Sequence, residues 1–292
     1  MKPASFDYHR PQTLEAALGL LARYGDHAKP IAGGQSLGPM LNMRLARPEH
    51  LVDLNDLVEL DFIRVSDGVL EIGALTRHQR VATALEVRRV HPLLAAAAAT
   101  IGHYAIRQRG TLGGSLVHAD PAAQLPLIAV LGGAKIVVRG LAGQREIDAA
   151  DFFRSVMTVD VRDGEMVTSV RFPRLAANSG WAFELFSRRR GDFAIVAVAV
   201  TLLLDSDHRL ASLEMAFGGV GSVPLRLDVS AVAEAGAIPT EKWIAGVSTF
   251  AAQSLSPEDS VSIPAVFRRE VAASLMEKAL AAALARARGE TA

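Results

Sequence analysis

Two glycine-rich stretches hold the residues best suited to chemistry in this sequence. The first is Lys29-Pro30-Ile31-Ala32-Gly33-Gly34-Gln35-Ser36-Leu37-Gly38-Pro39, and the second is Gly110-Thr111-Leu112-Gly113-Gly114-Ser115. Paired glycines permit positive φ angles and let the main chain approach another molecule with no Cβ in the way. Successive N–H groups in such a turn form a concave site for an anion, and a serine hydroxyl at its rim adds one more donor. A single Gly-Gly pair is an ordinary turn signal. Two of similar form, each ending in serine, carry more: a mononucleotide needs one such cradle, whereas the diphosphate of a dinucleotide can use two.

Other chemistries compete for the same residues. Gly34-Gln35-Ser36-Leu37-Gly38 satisfies G-x-S-x-G, the nucleophile elbow of serine hydrolases. An elbow strand ordinarily follows other core strands and an oxyanion loop, whereas one helix alone precedes Ser36, so the hydrolase stands as the alternative. A subunit that binds a nucleotide only for structure is a second alternative. There is no G-x-G-x-x-G after a strand, no Gly-Lys-Ser/Thr and no H-E-x-x-H. His118, two residues before Asp120, suggests half a metal site with no third ligand, so it reads as a surface or capping residue and no metal is expected. Arg188-Arg189-Arg190 reads as a solvated turn.

The elements that must position these stretches follow from periodicity. Leu14, Ala17, Leu18 and Leu21 predict a helix between Thr13 and Gly25. A strand over 29–32, the first glycine stretch and a helix over 39–45 come next, then strands over 50–54 and 69–73. Residues 76–104 read as helical, broken at His91-Pro92 because the residue before proline leaves the α region. Two helices therefore precede the second stretch. Asp120-Pro121 predicts a helix start running to Leu131, and 134–139 and 166–172 read as strands. A boundary is expected at 173–180, followed by three antiparallel strands over 181–187, 193–204 and 209–218. Helices over 229–235, 239–255 and 264–288 complete an α+β region with helices on one sheet face.

The chain has 292 residues, half of them hydrophobic, enough for more than one core. Basic and acidic residues number 31 each, so no field exists to attract nucleic acid or an anionic membrane. No cysteine is present, which excludes disulfides, thiolate nucleophiles and iron–sulfur ligation by this chain. The N-terminus lacks a signal pattern and no apolar run reaches the ~20 residues of a membrane span, so a cytoplasmic location is expected.

Ala32-Gly33-Gly34-Gln35-Ser36, Thr111-Leu112-Gly113-Gly114-Ser115, Ala119-Asp120-Pro121-Ala122-Ala123 and Arg188-Arg189-Arg190-Gly191-Asp192-Phe193-Ala194 together resemble the FAD-binding medium subunits of the molybdenum hydroxylases, the group that includes carbon monoxide and xanthine dehydrogenases. The resemblance implies a mixed α/β, α+β fold. A two-part PCMH-type FAD-binding domain over 1–176, with subdomains of about 1–56 and 57–176, would precede a C-terminal domain of antiparallel sheet and helices over 177–292. It implies FAD contacts at Lys29, Ile31, Ala32, Gly33, Gly34, Gln35, Ser36, Leu37, Ile101, Gly110, Thr111, Gly113, Gly114, Ser115, Gln124, Val167 and Phe193, and no catalytic acid or base. Gln124 stands where relatives carry an acid able to bond the ribityl chain, and Phe193 would cover the flavin. The implied partners are a large molybdenum-pterin subunit and a small subunit with two [2Fe–2S] clusters, as a dimer of heterotrimers. This chain would pass electrons from FAD to an external acceptor.

Overall fold

The computed structural model describes residues 2–290. The first sheet is parallel: Asp7–His9 and Ala28–Ile31 flank His50–Asp53, with Asp7 and Ala28 both opposite His50. Parallel strands need a crossover, and the helix Leu14–Tyr24 supplies it. Its buried stripe is Leu14, Ala17, Leu18 and Leu21; Thr13 accepts from the Ala16 N–H at the start, and Gly25 closes the end at φ 51°. Beyond Ile31 the chain turns through the first glycine stretch into a short helix, Leu37–Asn42, which begins two residues earlier than the sequence predicts.

A five-stranded antiparallel sheet follows, in the order Ile63–Ser66, Val69–Gly73, Met166–Pro173, Lys135–Gly140 and Gly143–Asp148. The helical region ahead of the second glycine stretch is cut into four pieces rather than two: His78–Thr83, Leu85–Val90, Pro92–Ala99 and Tyr104–Arg109. The break at His91 is as expected. Ala84 adds another by leaving the helical region at ψ 135°, and Gly102 turns the chain at φ 48°. Asp120-Pro121 does not start the next helix, which runs Gln124–Leu131. The Asp120 carboxylate does accept from the Ala122 N–H at 2.8 Å, as a cap would, but the Ala123 N–H closes a single turn on the Asp120 carbonyl at 3.0 Å and Ala123 then leaves the helical region at ψ 140°.

The third sheet is antiparallel, ordered Gly180–Phe186, Val196–Leu204, Leu210–Gly218, Leu225–Leu227. Its second strand begins at Val196, leaving Phe193 in the preceding bend. Residues 229–235 form turns, not the expected helix, so two helices follow the sheet, Glu241–Ser254 and Ala265–Ala287. Alternation along Val196–Leu204 sorts the residues by face. Val196, Val198, Val200 and Leu202 join the core under these two helices, whereas Ala197 and Ala199, with Ala216, join the core that contains the helix Gln124–Leu131. No helix among the described residues is long and apolar enough to cross a membrane.

Candidate functional site

Both glycine stretches open into one cleft of about 660 Å³, a size ordinary for a small-molecule site. Lys29, residues 31–37, Ile101, Gly110, Thr111, Gly113, Gly114, Ser115, Gln124, Val167 and Phe193 all line it. The parallel sheet delivers the first stretch, the helices above the five-stranded sheet deliver the second, and the bend before Val196 brings in Phe193 from the third sheet.

The first stretch is an open loop. Gly34 adopts φ 68°, the left-handed region where a side chain is strained. Gly33 is required for another reason: a Cβ there would overlap the carbonyl of Arg109 and crowd the Cα of Gly110. The two stretches thus touch backbone to backbone at Gly33. The Gln35 side chain donates to the Gly33 carbonyl at 3.0 Å, and the Gly38 N–H donates to the Gly34 carbonyl at 2.9 Å. Among the described residues, the N–H groups of Gly34, Gln35, Ser36 and Leu37 find no protein acceptor. Such groups beside a cavity are the donors an anion needs.

The second stretch differs from the expectation of a second cradle. Leu112 to His118 is helix, with Thr111 as its N-cap. Leu112 N–H donates to Thr76 O at 3.0 Å, Gly113 N–H to Ala74 O at 2.8 Å, and Gly114 N–H to the Thr111 hydroxyl at 3.1 Å. The N–H groups of Gly110 and of residues 112–115 are consumed inside the protein, and that of Thr111 alone finds no acceptor among the described residues. Gly113 is there because a Cβ would stand 2.6 Å from the Ala74 Cβ. This stretch offers the cleft its hydroxyls and its lack of side chains rather than a run of free N–H groups.

His78 braces the second stretch from behind. Its Nε2 lies 2.8 Å from the Thr111 carbonyl, which can only accept, so Nε2 carries the proton and Nδ1 is an unpartnered buried acceptor. Burial pushes its pKa down to about 4 and keeps the ring neutral. Gln124, 6% exposed in the first turn of its helix, makes no side-chain hydrogen bond among the described residues. Phe193 is 61% exposed and so is not the first core residue of a strand.

Several lining residues escaped the sequence reading. Asp26, Met157, Val159, Val161 and Arg162 to Glu165 line the cleft, as do His78 and His118. Asp163-Gly164 is a turn signal, and Gly164 does adopt φ 77°, but a turn signal does not say which cavity the turn borders. His118, expected at the surface or in a capping role, is partly exposed in the last turn of its helix and lines the cleft. No group of three His, Cys, Asp or Glu among the described residues is placed to hold a metal.

Ser36 has φ −105° and ψ −53° at the start of its helix, without the strained turn of a nucleophile elbow. Its hydroxyl bonds neither histidine nor carboxylate among the described residues, so the base that acyl transfer requires is missing. Free N–H donors beside apolar walls suit an anionic group joined to flat rings instead. The diphosphate and two ring systems of FAD have that chemistry.

Comparison with known proteins agrees. Residues 4–175 match the FAD binding domain in molybdopterin dehydrogenase, and 181–283 match the CO dehydrogenase flavoprotein C-terminal domain. The chain is 41% identical over 288 residues to the 6-hydroxypseudooxynicotine dehydrogenase complex subunit alpha of Paenarthrobacter nicotinovorans, covering 99% of this chain and 97% of that protein. It is 32% identical over 286 residues to the carbon monoxide dehydrogenase medium chain of Hydrogenophaga pseudoflava, covering 98% and 99%. Among solved structures, quinoline 2-oxidoreductase from Pseudomonas putida 86 superposes with a TM-score of 0.92 at 33% identity, covering 99% of each chain. A structure of the Hydrogenophaga pseudoflava carbon monoxide dehydrogenase gives 0.93 at 32%, covering 98% of this chain and 99% of that one. With the fold matched along nearly its whole length and the cleft fitting the cofactor, the chain belongs to the FAD-binding medium subunits of the molybdenum hydroxylases.

Proposed function

We propose that the free N–H groups of Gly34 to Leu37 hold the FAD diphosphate, and that this chain carries the final electron transfer of a molybdenum hydroxylase. The observation that supports this most directly is that run of unpaired donors opening into a cleft lined by every contact residue the family resemblance implies. Thr111, Ser115 and the Gln124 amide supply further polar contacts, while Ile101 and Phe193 offer apolar surface to a ring. When bound, FAD accepts electrons singly or in pairs and returns them to an acceptor; the protein's part is to place, shield and polarise it.

The chain has no cysteine, so any iron–sulfur cluster feeding it belongs to another polypeptide. The reading therefore includes a large molybdenum-pterin subunit and a small [2Fe–2S] subunit, assembled as a dimer of heterotrimers in the cytoplasm. Relatives named as a complex subunit or a medium chain support a multi-subunit assembly. Denaturation of the purified protein, alone or in its complex, tests the cofactor assignment. Release of FAD, and not FMN, is expected. A colourless chain that takes up no FAD at saturating concentration overturns it.

A further inference from the structure

Behind the cleft, the two glycine stretches are tied together by side chains that take no part in lining it. Arg77 stands at the N-cap of the helix His78–Thr83. One terminal nitrogen of its guanidinium donates to the Arg109 carbonyl, and the other donates to Asn55 Oδ1 at 2.7 Å. The Asn55 amide in turn donates to the Ala32 carbonyl at 2.9 Å and to Asp53 Oδ1 at 2.5 Å. The remaining Asp53 oxygen accepts from the Tyr8 hydroxyl. Ala32 immediately precedes Gly33, and Arg109 immediately precedes Gly110. One arginine–asparagine pair therefore grips the carbonyl just ahead of Gly33 and the one just ahead of Gly110.

Asn55 follows the central strand of the parallel sheet, and Arg77 follows the five-stranded sheet's strand Val69–Gly73. The pair bridges the two bodies at the point where Gly33 touches Arg109. Arg77 is an expensive choice for a strut. Desolvation pulls its pKa below that of a free arginine, and its two polar contacts are neutral groups, a carbonyl and an amide. The carboxylates of Asp61 and Asp53 act on the guanidinium without a direct hydrogen bond and offset part of its charge, while Arg109 adds a second cation nearby, beside loops that would meet a diphosphate.

We infer that Arg77 and Asn55 act together as positioning residues that fix the two glycine stretches at the spacing a diphosphate requires, with the Arg77 charge favouring the anion. The inference rests on the FAD reading. It is specific to the diphosphate, so ADP, which carries that group without a flavin, must feel it as FAD does.

The full-length chain freed of flavin is titrated calorimetrically with FAD and with ADP, alongside Arg77→Gln, Asn55→Ala and the double variant. Each single change is expected to weaken both ligands about tenfold. The double variant is expected to be no weaker than the worse single, because the two residues share one bond and one task. Arg77→Lys keeps the charge but lacks the fork that spans two acceptors, and it is expected to fall between wild type and Arg77→Gln; it also serves if Arg77→Gln does not fold. Unchanged affinities, additive losses, a loss for FAD without one for ADP, or wild-type affinity in Arg77→Lys would each overturn the inference. A wild-type chain that binds neither ligand would instead defeat the FAD reading on which it stands.

Discussion

Gly33-Gly34 and Gly113-Gly114 look alike in the sequence and do opposite things in the fold. The first pair leaves its following N–H groups unpaired beside the cleft, whereas the N–H groups of the second are spent on Ala74 O and Thr111 Oγ1. In the first stretch a glycine admits positive φ at Gly34; in the second, Gly113 lets a helix start lie against Ala74. A repeated Gly-Gly therefore reports a repeated need for space, and only the accounting of donors shows which copy faces a ligand. The first stretch should govern affinity and the second stability.

The largest effect is expected where the two meet. Gly33→Val places a branched side chain on the Arg109 carbonyl, and forcing the stretches apart should cost about 3–5 kcal/mol of stability as well as the cofactor. Thermal unfolding of the flavin-free chain beside its flavin content measures both. Retained stability with lost FAD would mean that Gly33 faces phosphate rather than Arg109.

Acid should loosen the second stretch through His78. Its folded pKa near 4 lies below the ordinary 6.5, as does that of buried His91, so the unfolded chain takes up protons first as pH falls. Stability is intact above about pH 6.5 and is lost progressively toward pH 4, by up to roughly 3 kcal/mol per histidine. Chemical denaturation between pH 7 and 4.5 gives the slope, and His78→Gln should flatten it. A slope that His78→Gln leaves unchanged would remove His78 from the account.

Alanine at Gly113 and at Gly34 separates the two roles directly. Gly113→Ala meets the Ala74 Cβ and carbonyl and should cost about 2–3 kcal/mol of stability with little change in FAD affinity per folded molecule. Gly34→Ala meets only the tip of the Ile31 side chain but must hold φ 68°. It should cost about 1 kcal/mol of stability yet weaken FAD about tenfold by turning the donors away. The reverse ranking by calorimetry would exchange the roles assigned to the stretches.

Smaller still, Thr111→Ala removes an N-cap and should lower stability by about 1 kcal/mol, read from the unfolding midpoint. Phe193→Ala should move stability by no more than about 0.5 kcal/mol, since the ring is mostly exposed. It should quicken reoxidation of the reduced flavin by oxygen, followed by stopped-flow absorbance. Unchanged reoxidation would leave Phe193 without a shielding role.

Much of this organisation was legible because strong local signals agreed with the fold. The stripe from Leu14 to Leu21, the alternation of the central strands and the two glycine stretches all told where elements lie. Hidden were features that depend on partners distant in the chain. The strands Ile63–Ser66 and Gly143–Asp148 lie at the two edges of their sheet and are mostly exposed, so they carry little apolar pattern for a sequence to show. Ala84 ends a helix although alanine is the best helix former, an override by packing on both sides. Asp120-Pro121 has the composition of a helix start and even makes the capping bond to the Ala122 N–H, but Ala123 leaves the helical region at ψ 140° and the helix begins only at Gln124. The segment from Val159 to Glu165 borders the cleft only through the tertiary fold, with no motif of its own.

Ala197, Ala199 and Ala216 have a bearing on recombining relatives. These small residues pack into the same core as the helix Gln124–Leu131, and the Gly219 N–H donates to the Pro121 carbonyl at 2.9 Å. The segment that separates the two matched family regions, 4–175 and 181–283, looks like a natural splice point. A hybrid joined there would set one parent's alanine face against another parent's helix. Working chimeras must therefore carry residues 121–131 together with the third sheet, so the unit that can be exchanged is discontinuous in the gene though contiguous in space.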